Sequence, residues 1–122
     1  MSLKVLVADD SGVMRKIVVR ALNSLGVTDV TEAAGGDEAL TAFRQGSFQL
    51  VLTDWNMPGK TGLDVVREIR GQGSTVPVMM ITTESEKARV LEAIQAGVTD
   101  YLAKPFEQDT LREKLVKHCG SL

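Results

Sequence analysis

The sequence predicts an α/β fold: a five-stranded parallel sheet with five helices covering both faces. Three observations predict it. Short apolar runs recur at Val5-Leu6-Val7-Ala8, Leu50-Val51-Leu52-Thr53 and Val78-Met79-Met80-Ile81, the pattern of strands buried on both faces. Between them the apolar spacing changes to that of amphipathic helices. The two patterns alternate along the chain, which argues for right-handed crossovers between parallel strands.

In chain order, Val5 to Ala8 forms the first strand. The helix after it places Met14, Ile17, Val18, Ala21, Leu22 and Leu25 on one face and Arg15, Lys16, Arg20 and Asn23 on the other, and Gly26 ends it. The second strand, Thr28-Asp29-Val30-Thr31-Glu32-Ala33, mixes polar with apolar residues. Ala39, Leu40 and Phe43 mark the second helix, Leu50 to Thr53 the third strand, and Leu63, Val66 and Ile69 the third helix. Val78 to Ile81 follows as the fourth strand, then a helix striped by Val90, Leu91 and Ile94. A mixed fifth strand starts at Val98-Thr99-Asp100-Tyr101 and runs into Leu102-Ala103, and Leu111 and Leu115 mark the last helix. Uninterrupted apolar strands belong in the sheet interior, so the two mixed strands are expected at its edges.

The 122 residues suit one domain, taken here as a single unit over 1–122 without an output domain. With 14 basic and 16 acidic residues the formal charge is −2, so no global field draws the chain to nucleic acid. Cys119 is the only cysteine and excludes an internal disulfide. No secretory leader is visible and no apolar run approaches the roughly 20 residues of a membrane span. A cytoplasmic location without membrane insertion is the expectation.

Four of the runs end in, or one step from, a reactive side chain: Asp9-Asp10, Asp54, Thr82 and Lys104. Parallel strands share their C-terminal edge, and open α/β sheets bind ligands in the crevice outside that edge. Three carboxylates, a hydroxyl and an ammonium are therefore expected to converge. Clustered acids attract a divalent cation, and the lysine can neutralise an anion that the cation also holds. No cluster of His and Cys favours zinc.

In Val7-Ala8-Asp9-Asp10-Ser11, Asp54-Trp55-Asn56-Met57-Pro58, Ile81-Thr82-Thr83-Glu84 and Lys104-Pro105-Phe106 the chain resembles the response-regulator receiver domains of two-component signalling, above all their single-domain chemotaxis members. The resemblance spans essentially the whole chain. It implies the flavodoxin-like, doubly wound strand order 2-1-3-4-5, of which such chemotaxis regulators are themselves a standard example. It further implies that Asp54 accepts a phosphoryl group, that Lys104 and Thr82 contact it, and that Mg²⁺, with Mn²⁺ a possible substitute, is held by Asp10, Asp54 and the backbone carbonyl of Asn56, Asp9 acting through water. Thr82 and Tyr101 would form the switch, and Asn56, Thr83 and Glu84 would tune its lifetime. A partner-binding face would include Lys87, Val90, Tyr101 and Lys114. The implied partners are a sensor histidine kinase, a downstream protein such as a flagellar motor switch component, and a phosphatase as a further candidate. A free-standing receiver of another pathway, or a phosphorelay intermediate, is the nearest alternative.

Other readings fit less well. Gly59-Lys60-Thr61 has the end of a nucleotide-binding loop, but Asp54 occupies the position of its first glycine and Pro58 lacks a backbone donor. Aspartyl phosphatases place Asp-x-Asp after the first strand, where this chain has Asp9-Asp10. An FMN protein of similar fold has no need of a lysine among carboxylates. Trp55, beside Asp54, is expected to pack locally.

Overall fold

The computed structural model describes residues 3–83 and 88–120. Its elements are β1 (Lys4–Ala8), α1 (Gly12–Ser24), β2 (Asp29–Ala33), α2 (Gly36–Gln45), β3 (Leu50–Asp54), α3 (Gly62–Gly71), β4 (Val78–Thr82), α4 (Val90–Ala96), β5 (Asp100–Ala103) and α5 (Gln108–Cys119). All four strand pairings are parallel, and the order across the sheet is β2-β1-β3-β4-β5. The expected class and order are both present. Burial follows the composition argument: β4 is buried throughout, whereas β2 and β5, at the edges, are mostly half-buried.

Alternating strand residues feed two apolar clusters, one on each face. Leu6, Val51 and Met80 pack with Leu40, Val66 and Ile69 of α2 and α3. Val5, Val7, Leu52 and Ile81 pack on the other face with Val18 and Leu22 of α1 and Leu111 and Leu115 of α5. A β-strand sends successive side chains to opposite faces, so an uninterrupted apolar run is what two covered faces require. Gly26 follows the end of α1 with φ 88°, a left-handed conformation that suits glycine at this helix stop.

Two helical stripes differ from expectation. Ile17 on α1 is 47% exposed, because α1 meets the core chiefly through Val18 and Leu22. On α4, Leu91 is 66% and Ile94 55% exposed, while the small Ala93 is the residue buried. The fifth strand begins at Asp100 rather than Val98. Val98 N–H instead donates to Ala93 O and closes the end of α4.

The register places the site. Ala8 is level with both Ala33 and Thr53, Asp54 with Ile81, and Thr82 with Ala103. Asp9, Asp54, Thr82 and Lys104 therefore come to one end of the sheet. Among the described residues, no helix is long and apolar enough to cross a membrane.

Candidate phosphoryl-acceptor and metal site

Asp9 follows the last residue of β1, between β2 and β3, and only 1% of its surface is exposed. Its N–H donates to Ala33 O at 3.0 Å, continuing the ladder to β2. Its Oδ1 accepts from Ser11 N–H at 2.9 Å, while Ser11 Oγ accepts from Met14 N–H at 3.2 Å and caps α1. Burial pushes the Asp9 carboxyl above its ordinary range; the Ser11 N–H pulls it down, the Asp54 charge raises it again, and Lys104 offsets part of this. Its Oδ2 is buried and, among the described residues, accepts no hydrogen bond. Lys104 Nζ is 3.9 Å from it, an ion-pair separation rather than a hydrogen bond.

Asp54 closes β3, and its Oδ1 accepts from its neighbour's backbone, Trp55 N–H, at 2.9 Å and from Lys104 Nζ at 3.2 Å. Lys104 follows β5, its N–H bonded to Thr82 O at 2.6 Å, and the Lys104–Pro105 peptide is cis. The turn after Asp54 is fixed by Gly62 N–H donating to Trp55 O at 2.9 Å. It ends in a capping box, with Thr61 Oγ1 accepting from Asp64 N–H and Asp64 Oδ2 from Thr61 N–H. Lys60, the lysine of the nucleotide-loop reading, lies 2.9 Å from Glu68 Oε2 and is a strut between the turn and α3.

One carboxylate oxygen each from Asp9, Asp10 and Asp54 lies within 4.8 Å of the others, with Asp10 exposed to incoming ions. All-oxygen donors, one of them buried and without a hydrogen bond, fit a hard divalent cation that keeps part of its water shell. The donor set thus suits Mg²⁺.

Thr82 is buried, and its hydroxyl donates to Thr83 O at 3.2 Å. Thr83 is half-buried and Asn56 exposed. Glu84 and Lys87 lie outside the described residues. Tyr101 and Lys114 are brought together, with Lys114 Nζ 5.4 Å from the ring centroid, and Val90 is half-buried on α4.

Three participants were not singled out in the sequence. Arg15, placed there on the polar face of α1, instead turns inward: Nη1 donates to Asp9 O at 2.7 Å and Nε to Glu32 Oε1 at 2.9 Å. Hydrogen bonds from Lys16 and then from Arg15 hold Glu32 below the usual carboxylate range. A basic residue one turn into a helix that opens on two acids was the available signal. Arg89 lies over the Trp55 ring at 4.5 Å, so the start of α4 touches the residue after Asp54. Asp100 accepts from Lys114 at 3.0 Å and pairs with His118 Nε2 at 2.8 Å. Burial works to raise the Asp100 carboxyl, but hydrogen bonds from His118, Lys114 and Tyr101 N–H outweigh it and hold it low.

The sequence description of the response regulator receiver domain matches residues 5–116. The chain is 42% identical to the chemotaxis protein CheY of Pseudomonas aeruginosa over 117 residues, 94% of each chain. It is 44% identical to CheY-3 of Vibrio cholerae over 118 residues, 95% of this chain and 91% of that one. Among solved structures, Vibrio cholerae CheY4 superposes with a TM-score of 0.86 at 35% identity, covering 96% of this chain and 98% of that one. The receiver domain of the Pseudomonas aeruginosa sensor histidine kinase PA1611, which has a magnesium ion coordinated in its active-site cleft, gives a TM-score of 0.89 at 31% identity, with 99% and 100% covered. The sheet order, the acids gathered at its C-terminal edge and these matches agree, and the chain belongs to the response regulator receiver domain family of two-component signalling.

Proposed function

We propose that this receiver takes a phosphoryl group from a phosphohistidine of a sensor kinase onto Asp54, in the presence of Mg²⁺, and that the modified form regulates a partner protein in the cytoplasm. The observation that carries the reading is the Lys104 ammonium 3.2 Å from Asp54 Oδ1, within a group of three carboxylates. Phosphoryl transfer asks the protein for positioning and charge neutralisation more than for covalent chemistry. Asp54 attacks phosphorus as the bond to the histidine nitrogen breaks, leaving an acyl phosphate. Held by Asp10, Asp54 and the Asn56 carbonyl, with Asp9 acting through water, Mg²⁺ would neutralise charge on the transferring group.

Lys104 then neutralises a phosphoryl oxygen, and Thr82 exchanges its bond to Thr83 O for another. Such contacts shift a two-state equilibrium only by being stronger in the active state. Tyr101, one strand away, follows Thr82, while Asn56, Thr83 and Glu84 set how water reaches the acyl phosphate. The residues proposed to receive the partner are Lys87, Val90, Tyr101 and Lys114; Lys114 already donates to Asp100 Oδ1 at 3.0 Å, so an acidic segment would share or displace that bond.

The names of the curated relatives favour chemotaxis. Within that reading a flagellar motor switch protein is the proposed target and a phosphatase the proposed terminator. A second reading, a receiver of another pathway, is favoured by structural neighbours such as the PA1611 receiver and NtrX of Brucella abortus, the latter at a TM-score of 0.89 and 29% identity.

Incubation with a small acyl phosphate and Mg²⁺ is expected to add one phosphoryl mass to the parent and none to Asp54→Asn. An unmodified parent would overturn the proposal. Thr83→Ala is expected to speed this labelling by removing a branched side chain beside Thr82; an unchanged or lower rate constant would dismiss that role.

A further inference from the structure

We infer that Arg15 is a positioning residue for the metal site, holding the peptide that joins Asp9 to Asp10 against the edge of the sheet. The inference rests on the Mg²⁺ reading above and concerns how this chain builds that site. Asp9 is fixed on its N-terminal side by its N–H bond to Ala33 O and at its side chain by Ser11 N–H. The remaining freedom is rotation of the next peptide, whose carbonyl is Asp9 O and whose nitrogen belongs to Asp10. Arg15 Nη1 takes that carbonyl at 2.7 Å. Asp10 is exposed, so packing does little to fix its direction, and the orientation of its carboxylate depends on this peptide.

Arg15 is itself braced. Its Nε reaches Glu32 Oε1 at 2.9 Å, and Lys16 Nζ holds the other Glu32 oxygen at 2.9 Å. Glu32 precedes Ala33, the residue whose carbonyl anchors Asp9. One guanidinium thus spans α1, β2 and the loop after β1. Its planar fork can serve a carbonyl and a carboxylate together, whereas an ammonium lacks that rigid geometry.

The sign of the effect separates this role from plain electrostatics. Arg15 brings a positive charge to an acidic cation site, so charge alone predicts that Arg15→Ala binds Mg²⁺ more tightly. Positioning predicts weaker binding, by about tenfold, the low end of what losing a partner behind a metal ligand costs. Arg15→Lys keeps the charge and loses the fork, and is expected to be weakened similarly. Glu32→Gln keeps an acceptor oxygen for Nε and is expected to stay near the parent.

The test is a Mg²⁺ titration of the parent and the three variants, followed by Trp55 emission and by calorimetry, with thermal melts in chelator alongside. A purely structural strut would lower the melting temperature and leave the Mg²⁺ dissociation constant alone. Parent-like or tighter Mg²⁺ binding by Arg15→Lys would overturn the inference, even if Arg15→Ala does not fold. A parent that gives no Mg²⁺ signal by either method would instead overturn the metal reading itself, and this inference with it.

Discussion

Replacing Gly62 with alanine is expected to cost about 3 kcal/mol of stability or more, and to displace Asp54 in whatever remains folded. A Cβ on Gly62 would stand 2.1 Å from Asp54 O, 2.9 Å from Met80 Sδ and 3.1 Å from Asp54 C. Methionine can swing away, but the nearest atoms are backbone of the residue proposed to be phosphorylated. The turn has little room to retreat on its other side, since a Cβ on Gly36, at the start of α2, would meet Lys60 O at 2.2 Å. Gly71, at the end of α3, the helix that Gly62 opens, has nothing within 4 Å of a built Cβ. Gly71→Ala should therefore be neutral or stabilising by up to about 1 kcal/mol. Urea unfolding of both variants checks the contrast, and a loss below about 1 kcal/mol for Gly62→Ala would contradict it.

Asp9→Asn is expected to stabilise the metal-free protein by about 2 kcal/mol at neutral pH. Burial, with repulsion from Asp54, raises the Asp9 carboxyl in the native state. Between its unfolded and folded pKa values the native state binds more protons than the unfolded one, so stability falls as pH rises through that window. Above the folded pKa the penalty is complete, and below the ordinary carboxylate range it vanishes. Asparagine removes the charge and keeps an oxygen for Ser11 N–H. The gain should accordingly appear at neutral pH in chelator and disappear in acid. Asp10→Ala should act in the same direction with a smaller effect, because Asp10 is exposed. Adding Mg²⁺ should narrow or reverse the gap, since a ligand of the native state stabilises the parent more than a variant that binds it poorly. Melts at several pH values with and without Mg²⁺ decide this; a variant less stable than the parent in neutral chelator would contradict it.

The parallel sheet and the convergence of acids were legible because both follow from one-dimensional patterns. Apolar runs identify interior strands, and in a parallel sheet their ends must meet, so Asp9, Asp54, Thr82 and Lys104 could be placed together before any coordinates. Arg15 was less legible: a helical wheel assigns it to water, and only the loop after β1, returning beside Glu32 of β2, gives it two acceptors. Leu91 and Ile94 failed for a related reason. Periodicity marks a stripe but not the side from which the core approaches, and here Ala93 lets α4 sit close. The Asp100, Lys114 and His118 cluster joins residues up to 18 positions apart through the docking of α5 on β5, a tertiary fact without a local signature.

Because the strand ends meet in register, the timing of assembly is constrained as well as its shape. Asp54 finds Lys104 across 50 positions, and β5 joins the sheet only along β4. A ribosome-bound copy that has emerged only through β3 owns all three acids but no ammonium among them. On the proposed reading, such a copy lacks the contact that neutralises the transferring group, and labelling of Asp54 is expected to be weak until β5 has joined β4. The proposed competence thus waits on the docking of β5, a long-range step that follows the gathering of the acids.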